Sequence, residues 1–501
     1  IFLGKIHGGT SVRERKNSLI PEGGIFININ SAIDFLKKEY GYNLNLSAYF
    51  AAVDGWKKWY SGTDDSFHKV VINNGLTVTE REMYRLYMAK KVAEDWANLL
   101  LNEKTRITLE HKHSSNILQG EDEKGGILAE NDFWPNMSRM VEQTFALGTG
   151  AAVLRLENAD IGDGGELLYS PDAKIRIDWL SADNIIPLSW QQDKITDAAF
   201  VSEVVTGGGR FTYLQLHRLI SGEYVITSHF FKEDGFGLTE RPLPEGVAKT
   251  VRTGNPTPWF TVFRPNIVNN LFPELPTGVS VFAGCKDILK GIDLCYDSLN
   301  MEFYLGKKMV FLRKDLLSSD DEGMLYAPQD SNRQLFMYVG DKTLDGDMIP
   351  KEFNPTLRVE AHTAALQQQL NYLAGKCGFG ENHYRFDGAS VATATQVISE
   401  NSNLFRSVKK HEILLERQLI SFMRGILTVA RDFIGRRVLP DCKMSVTFDD
   451  SVIEDTASMQ KRDLALLEAG VMQKWEFRRK YFGEDEKTAK RIVEQAEKER
   501  K

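Results

Sequence analysis

His111 and His113 stand two residues apart. In a strand such a pair faces one way, as two ligands of one metal would. A metal site needs further ligands, so the pair reads as polar surface. His411-Glu412 opens the HExxH pattern of zinc proteases but lacks its second histidine, and reads as a solvated helix face. Asp449-Asp450, and Asp160 with Asp163 and Glu166, offer paired carboxylates of the kind acid–base chemistry uses. Both sets lie in turn-rich stretches, where Asp serves the turn itself. Gly148-Thr149-Gly150 is a fragment of the GxGxxG phosphate cradle, better explained as a helix-to-strand turn, and no GxxxxGK[ST] loop occurs. Gly388-Ala389-Ser390 does not complete the GxSxG nucleophile elbow. These readings point to a protein that is not an enzyme and holds no cofactor or metal.

The chain has 501 residues, 42% hydrophobic and 26% charged, as a globular protein of two to four domains would. Its formal net charge of -7 argues against a protein that coats DNA, whose domain would be strongly cationic. It permits one that lets DNA slide, since a surface neutralising many phosphates would hold the duplex. Cys285, Cys295, Cys377 and Cys442 form no CxxC pair, which predicts a reducing compartment without disulfides or zinc. No apolar run approaches the ~18 to 20 residues of a membrane span. Ile1-Phe2-Leu3 begins no secretory segment and no initiator Met is present, so the natural start is expected upstream.

The elements that would position these residues follow from periodicity. Residues 1 to about 75 read as an irregular entry with short helices. Met83, Tyr87, Met88, Val92, Trp96, Leu99 and Leu100 predict a helix from Glu80 to about Lys104. A second runs from Asn131, as its N-cap, to Leu147, with Gly148 beyond. From Ala151 to Phe231 short alternating segments separated by Gly- and Asp-rich turns predict one antiparallel meander with Val153, Ile175, Ile177 and Tyr213 on its core face. Residues 235 to 278, rich in Pro, read as a long connection. Val279 to Lys307 is a long helix with an apolar stripe through Ile288, Ile292, Cys295 and Leu299. An insert with strands at KMVFLRK and QLFMYVG follows, then a return helix from Glu360 to Lys376. From Ala389 to Ile434 a helix is predicted with a kink or loop at 397–404, because Ser399 to Asn403 compete for backbone hydrogen bonds. Beyond it Val408, Leu415, Phe422 and Ile426, widened by a second row with Ile413 and Ile420, predict burial between neighbours. Gly435 ends it. KMSVTFDD is a strand, and Thr456 to Phe482 and the charged tail are helical.

Three segments carry a family likeness. In GASVATATQVISENSNLFRSVKKHEILLERQL a small-residue turn, Gly388 to Ser390, precedes the helix start Thr393 to Val397 and the bases Arg406, Lys409 and Lys410. RIDWLSADNIIPLSW and RDLALLEAGVMQKWEFRRKYFG are the others. With the order of elements over about 25 to 500, and most sharply about 390 to 483, the chain resembles the portal proteins of tailed double-stranded DNA bacteriophages, of the siphophage type. The resemblance implies a mixed α+β, portal-like fold. Its parts would be an α/β wing (1–278), stem helices (279–307 and 359–377) and a small α/β clip (308–358). A tunnel loop and long kinked helix returning to the wing (378–452) and a helical C-terminal crown (453–501) would complete it. It implies a structural subunit of a dodecameric ring at one capsid vertex, present in the virion and in host cytoplasm during assembly. The ring passes double-stranded DNA without sequence choice during packaging and ejection. Its implied partners are the terminase large subunit, a head–tail adaptor, and the major capsid and scaffolding proteins, with no membrane. ATP chemistry belongs to the motor. The other readings are a different phage head–tail structural protein, although adaptors are usually shorter, and a nucleic-acid enzyme with a scattered site.

Within that frame Asp287, Asp293, Asp297 and Glu302 would line a channel whose negative charge repels phosphate. Subunit contact or solvation is the competing account. Gln396, Ser399, Glu400, Asn401, Ser402, Asn403 and Arg406 would form a tunnel loop touching phosphates weakly, against a simple helix kink. Lys307 and Lys308 would meet the DNA backbone where stem joins clip, or form a solvated turn.

Overall fold

The computed structural model describes residues 24–499 except 74, 76–77, 122–124, 207–208, 235–236, 313–317, 320–324, 327–335, 339–350, 381, 386–393 and 449–455. The paired carboxylates Asp449-Asp450 and the turn Gly388 to Ser390 lie outside the described residues. The architecture is mixed α and β. The chain enters through α1 (Gly24–Tyr40), α2 (Ser47–Ser61) and the single turn α3 (Asp65–His68), which runs into a two-stranded ribbon of β1 (Lys69–Asn73) and β2 (Val78–Glu82). Then come α4 (Met88–Leu100), β3 (Arg106–Leu109), α5 (Lys112–Gln119), the turn α6 (Gly126–Ala129) and α7 (Phe133–Leu147).

The helix expected from Glu80 therefore starts at Met88. Residues Glu80 to Glu82 pair with Lys69 to Val71 instead. The amides of Tyr84 and Leu86 donate to carboxylates from elsewhere in the chain, and Tyr87 sits in the left-handed region at φ 55°. Neither condition permits a helical turn there. Asn131 is not the N-cap of α7, which begins after Asp132. Its side-chain amide donates to the carbonyls of Ile127 and Ile175, and its Oδ1 accepts from the Ile177 amide, tying α6 to a strand.

The meander divides into two sheets. β4 (Gly150–Glu157) and β5 (Lys174–Ser181) pair with each other. A 3-10 turn at Ala182–Asn184 leads to β6 (Ile185–Gln191), β7 (Lys194–Thr206), β8 (Gly209–Ile220), β9 (Glu223–Asp234) and β10 (Gly237–Arg241). These five neighbour one another in sequence order, and β11 (Thr250–Arg252) adds to β9. β12 (Phe260–Phe263) closes the first sheet beside β4. The Pro-rich stretch is thus no plain connection: it supplies three strands. The expected core face also divides. Ile175 and Ile177 join the main core with the helices, whereas Val153 packs with Phe200, Tyr224 and Phe260 between the sheets. Tyr213 is only half-buried and lines the same narrow inter-sheet gap as Val153.

α8 (Lys286–Leu305) follows a 3-10 turn at Ala283–Cys285. Strands β13 (Met309–Leu312), β14 (Ser318–Ser319), β15 (Leu325–Tyr326), β16 (Phe336–Tyr338) and β17 (Lys351–Phe353) precede α9 (Val359–Lys376). β13 is central, parallel to β16 and antiparallel to β17. α9 returns along α8, burying Leu366, Leu370 and Leu373. At the root, Cys285 Sγ and Cys377 Sγ lie 3.8 Å apart and buried.

α10 (Ala394–Asp432) is helical over 39 residues, about 58 Å. Of the kink or loop expected at 397–404, the loop is absent: the backbone stays helical. Ser and Asn cost only ~0.5 kcal/mol each in a helix, and the burial of Val408, Leu415, Leu419, Phe422 and Ile426 further along anchors the element. That burial is one-sided, however, since Ile413 is 63% exposed. Gly435 follows at φ 73°, where a Cβ would strike the ring of Tyr169. β18 (Met444–Thr447) pairs with β3, and α11 (Thr456–Glu468), α12 (Lys474–Phe482) and α13 (Glu486–Glu499) end the chain.

Candidate functional site

The acidic residues of α8 do not share a face. At about 100° per residue, Asp293 lies about 240° round from Asp287, Asp297 about 280° and Glu302 about 60°. Two of them turn into the protein. Asp297, 4% exposed, receives both guanidinium nitrogens of Arg81 at 2.8 and 2.7 Å and the Tyr84 amide at 3.0 Å. Burial raises its pKa, but the hydrogen bonds and charge of Arg81 and the Tyr84 amide outweigh that and hold the carboxyl below its ordinary range. Asp293, 5% exposed, accepts from the Leu86 amide at 2.8 Å and meets His68 Nε2 at 2.8 Å. His68 Nδ1 in turn donates to the Asp64 carbonyl at 2.7 Å. Asp293 and Asp297 therefore do not face a channel within this chain. One turn apart, they clamp the strand ribbon and the extended segment before α4 onto α8.

The other sequence-predicted residues lie nearer the surface. Asp287 is exposed, with Lys290 at 3.7 Å. Glu302 is held by Arg358 through its backbone amide at 3.0 Å and its guanidinium at 2.8 Å, with His362 at 3.6 Å. Those Arg358 bonds pull its pKa down to about 2. The pair ties the end of α8 to the start of α9. Lys308 joins Glu352 at 2.8 Å across the insert, and the Lys307 ammonium stands 5.2 Å from the Tyr304 ring centre. Both lysines are thus engaged locally. Gln396, Ser399, Glu400, Asn401 and Ser402 lie on helical backbone, with side chains outside the described residues. Asn403 and Arg406 are exposed on α10.

Two histidine readings change. His111 is in no strand: it caps α5, its Nδ1 accepting from the Ser114 amide at 3.2 Å, so it and His113 share no strand face. His411 and Glu412 are buried, not solvated. His411 Nδ1 accepts the Asn266 amide at 3.1 Å, and its ring meets Trp96 and Phe145 edge-on at 4.6 and 4.9 Å. Burial, helped by the charge of Lys410, drives its pKa down to about 3. Among the described residues no group of three or more His, Cys, Asp and Glu is placed to hold a metal ion, and no described helix is long and apolar enough to cross a membrane.

Arg81 and His68 had no motif to mark them; only their partners, far off in sequence, give them a role. The exposed residues around the end of α8 had a weak signal. Phe303, Tyr304 and Leu305 follow one another without a polar residue, more than one buried stripe uses, and all three are exposed. Leu294 on α8 and Tyr372 on α9 are exposed as well, so apolar side chains reach solvent on more than one side of the hairpin. Exposed apolar clusters of this kind mark contact sites. No known family model matches the chain, and no curated protein sequence matches it.

Proposed function

We propose that the chain is the subunit of a ring-shaped bacteriophage portal, with the α8–α9 hairpin as stem and the β13–β17 insert as clip. The ring would carry double-stranded DNA during packaging and ejection and dock the terminase motor, then head–tail connector proteins. The reading draws on the family resemblance. The observation that supports it best is the hairpin itself: two antiparallel helices joined through a small sheet. It is rooted by the buried Asp293 and Asp297 clamps and exposes Leu294, Phe303, Tyr304 and Leu305 on different sides of α8. A helical hairpin with apolar side chains exposed on more than one side is suited to standing among identical copies, each covering the next. A net charge of -7 suits a conduit that must not grip phosphate. Asp287, the one of the four acids left fully in solvent, is the strongest candidate for a channel lining. The test is electron microscopy of the purified protein with top views sorted by symmetry. Rings of about twelve copies around a central hole are expected. A compact closed oligomer without a hole overturns the proposal.

A further inference from the structure

One face of α10 is unoccupied within the described chain. Arg406, Lys410, Ile413, Arg417, Ser421 and Arg424 are all exposed and recur at steps of three and four. They form one ridge along the helix, opposite the buried row through Val408, Leu415, Leu419 and Phe422. Among the described residues, none of the four bases makes an ion pair. Arg406 and Lys410, one turn apart, repel each other. An acidic surface is the complement that a free ridge of like charge fits. Ile413, exposed at its middle, makes that partner a protein surface, since a phosphate backbone gives an isoleucine nothing to cover it.

The complement lies on the same chain. The loop between β4 and β5 exposes Asp160, Asp163, Glu166 and Asp172, with Leu168 and Tyr169 exposed among them at 48% and 64%. It thus matches the ridge in both respects: acid for base, and an apolar centre for Ile413. The loop is anchored at the C-terminal end of α10. The Ser170 amide donates to the Phe433 carbonyl at 2.8 Å, and the Tyr169 ring lies against Gly435. Arg406 is 27 residues before Phe433, which directly follows α10, and at 1.5 Å per residue the two lie about 40 Å apart along the helix. A chain therefore cannot lay this loop on the first half of its own ridge, but a neighbour can. We propose that the basic ridge of α10 docks the acidic β4–β5 loop of a second copy. Two different patches of one chain meeting in this way make a heterologous, head-to-tail contact, which closes into a ring when the rotation allows. The proposal rests on the portal reading only for that closure; the contact itself belongs to any head-to-tail assembly.

The test uses four full-length proteins: the natural sequence, Arg406→Glu with Arg417→Glu, Asp163→Arg with Asp172→Arg, and all four changes together. All four side chains are exposed, and circular dichroism verifies folding. Sedimentation velocity and electron microscopy at about 0.15 M salt read assembly. Each double variant should associate on the order of tenfold or more weakly, and the combined variant should recover most of the loss. Double variants that assemble like the natural protein overturn the proposal, as does a combined variant that recovers nothing, or a natural chain that stays monomeric. It also fails if the ridge variant keeps its assembly but loses binding to a double-stranded DNA fragment. Rings with a hole that survive both reversals leave the portal reading intact while removing this contact. Rescued assemblies without a hole do the reverse.

Discussion

α8 and α10 are both long, amphipathic and charged, and they use charge in opposite ways. α8 turns two of its acids inward, where Arg81, His68 and two backbone amides meet them. α10 turns its apolar row inward and leaves Arg406, Lys410, Arg417 and Arg424 in solvent. The difference follows from what each helix packs against. α10 lies over the sheets and α7 and meets rings and aliphatic chains: Phe422 stands 6.4 Å from both Phe133 and Phe263. Along one side α8 meets an extended segment whose amides lack partners of their own, and a buried amide needs an acceptor. A carboxylate supplies one, with a charge-assisted bond. The charge of a helix residue thus says little about which way it faces until the neighbour is known.

The comparison is most easily broken in the core. Phe422→Ala should cost about 3–5 kcal/mol in urea unfolding, whereas Ile413→Ala on the same helix should stay within about 0.5 kcal/mol. Similar losses at the two positions would mean that α10 is buried all round. Next is the clamp on α8. Asp297→Ala removes the carboxylate shared by Arg81 and the Tyr84 amide and should cost about 3 kcal/mol, with faster hydrogen exchange over residues 69–86. Unchanged exchange there would show that the ribbon does not depend on α8.

An effect that is smaller per pH unit sharpens the contrast between buried and exposed charge. Burial lowers the pKa of both His411 and His217 to about 3. The unfolded chain, with histidine near 6.5, binds these protons first. Stability is therefore full above about pH 6.5 and falls as pH drops toward 3, by roughly 1.4 kcal/mol per unit for each histidine. His411→Gln keeps an acceptor for the Asn266 amide and removes one histidine's share of that slope. An undiminished slope would assign the acid sensitivity elsewhere. The smallest effect is expected at the far end of α8. Glu302→Gln should leave the urea midpoint unmoved, because its partner Arg358 is largely in solvent, where an ion pair contributes little. A clear shift would make that end as integral as the root.

Much of the fold was legible because periodicity reports burial directly. The helices at Lys286–Leu305 and Phe133–Leu147 and the strand at Met444–Thr447 fall within the stretches their patterns predicted, and the helix at Val359–Lys376 begins one residue before its stretch. The misreadings share a cause. Glu80 to Tyr87 carries part of a helical pattern, yet remote carboxylates take its amides. Ser399 to Asn403 disfavours helix locally, but the long anchored row after it carries the helix through. Asn131 resembles a cap, and its amide is used by a strand 44 residues away. Of the candidate site, Asp287 and Arg406 remain exposed as read, while Asp293 and Asp297 are consumed by contacts their own helix does not reveal.

The sequence by itself determined the mixed α and β composition, the paired long helices around a stranded insert, and the lack of a motif for phosphate or metal chemistry. These depend on residue type and near-neighbour spacing, which a chain carries unfolded. Only the tertiary structure decided that the meander breaks into two sheets, that a Pro-rich stretch supplies the strand beside β4, and that acids 293 and 297 point inward while bases 406 to 424 point outward. Each of those depends on which distant segment offers an unpaired amide, an open strand edge or an apolar wall, and that is settled when the chain closes on itself.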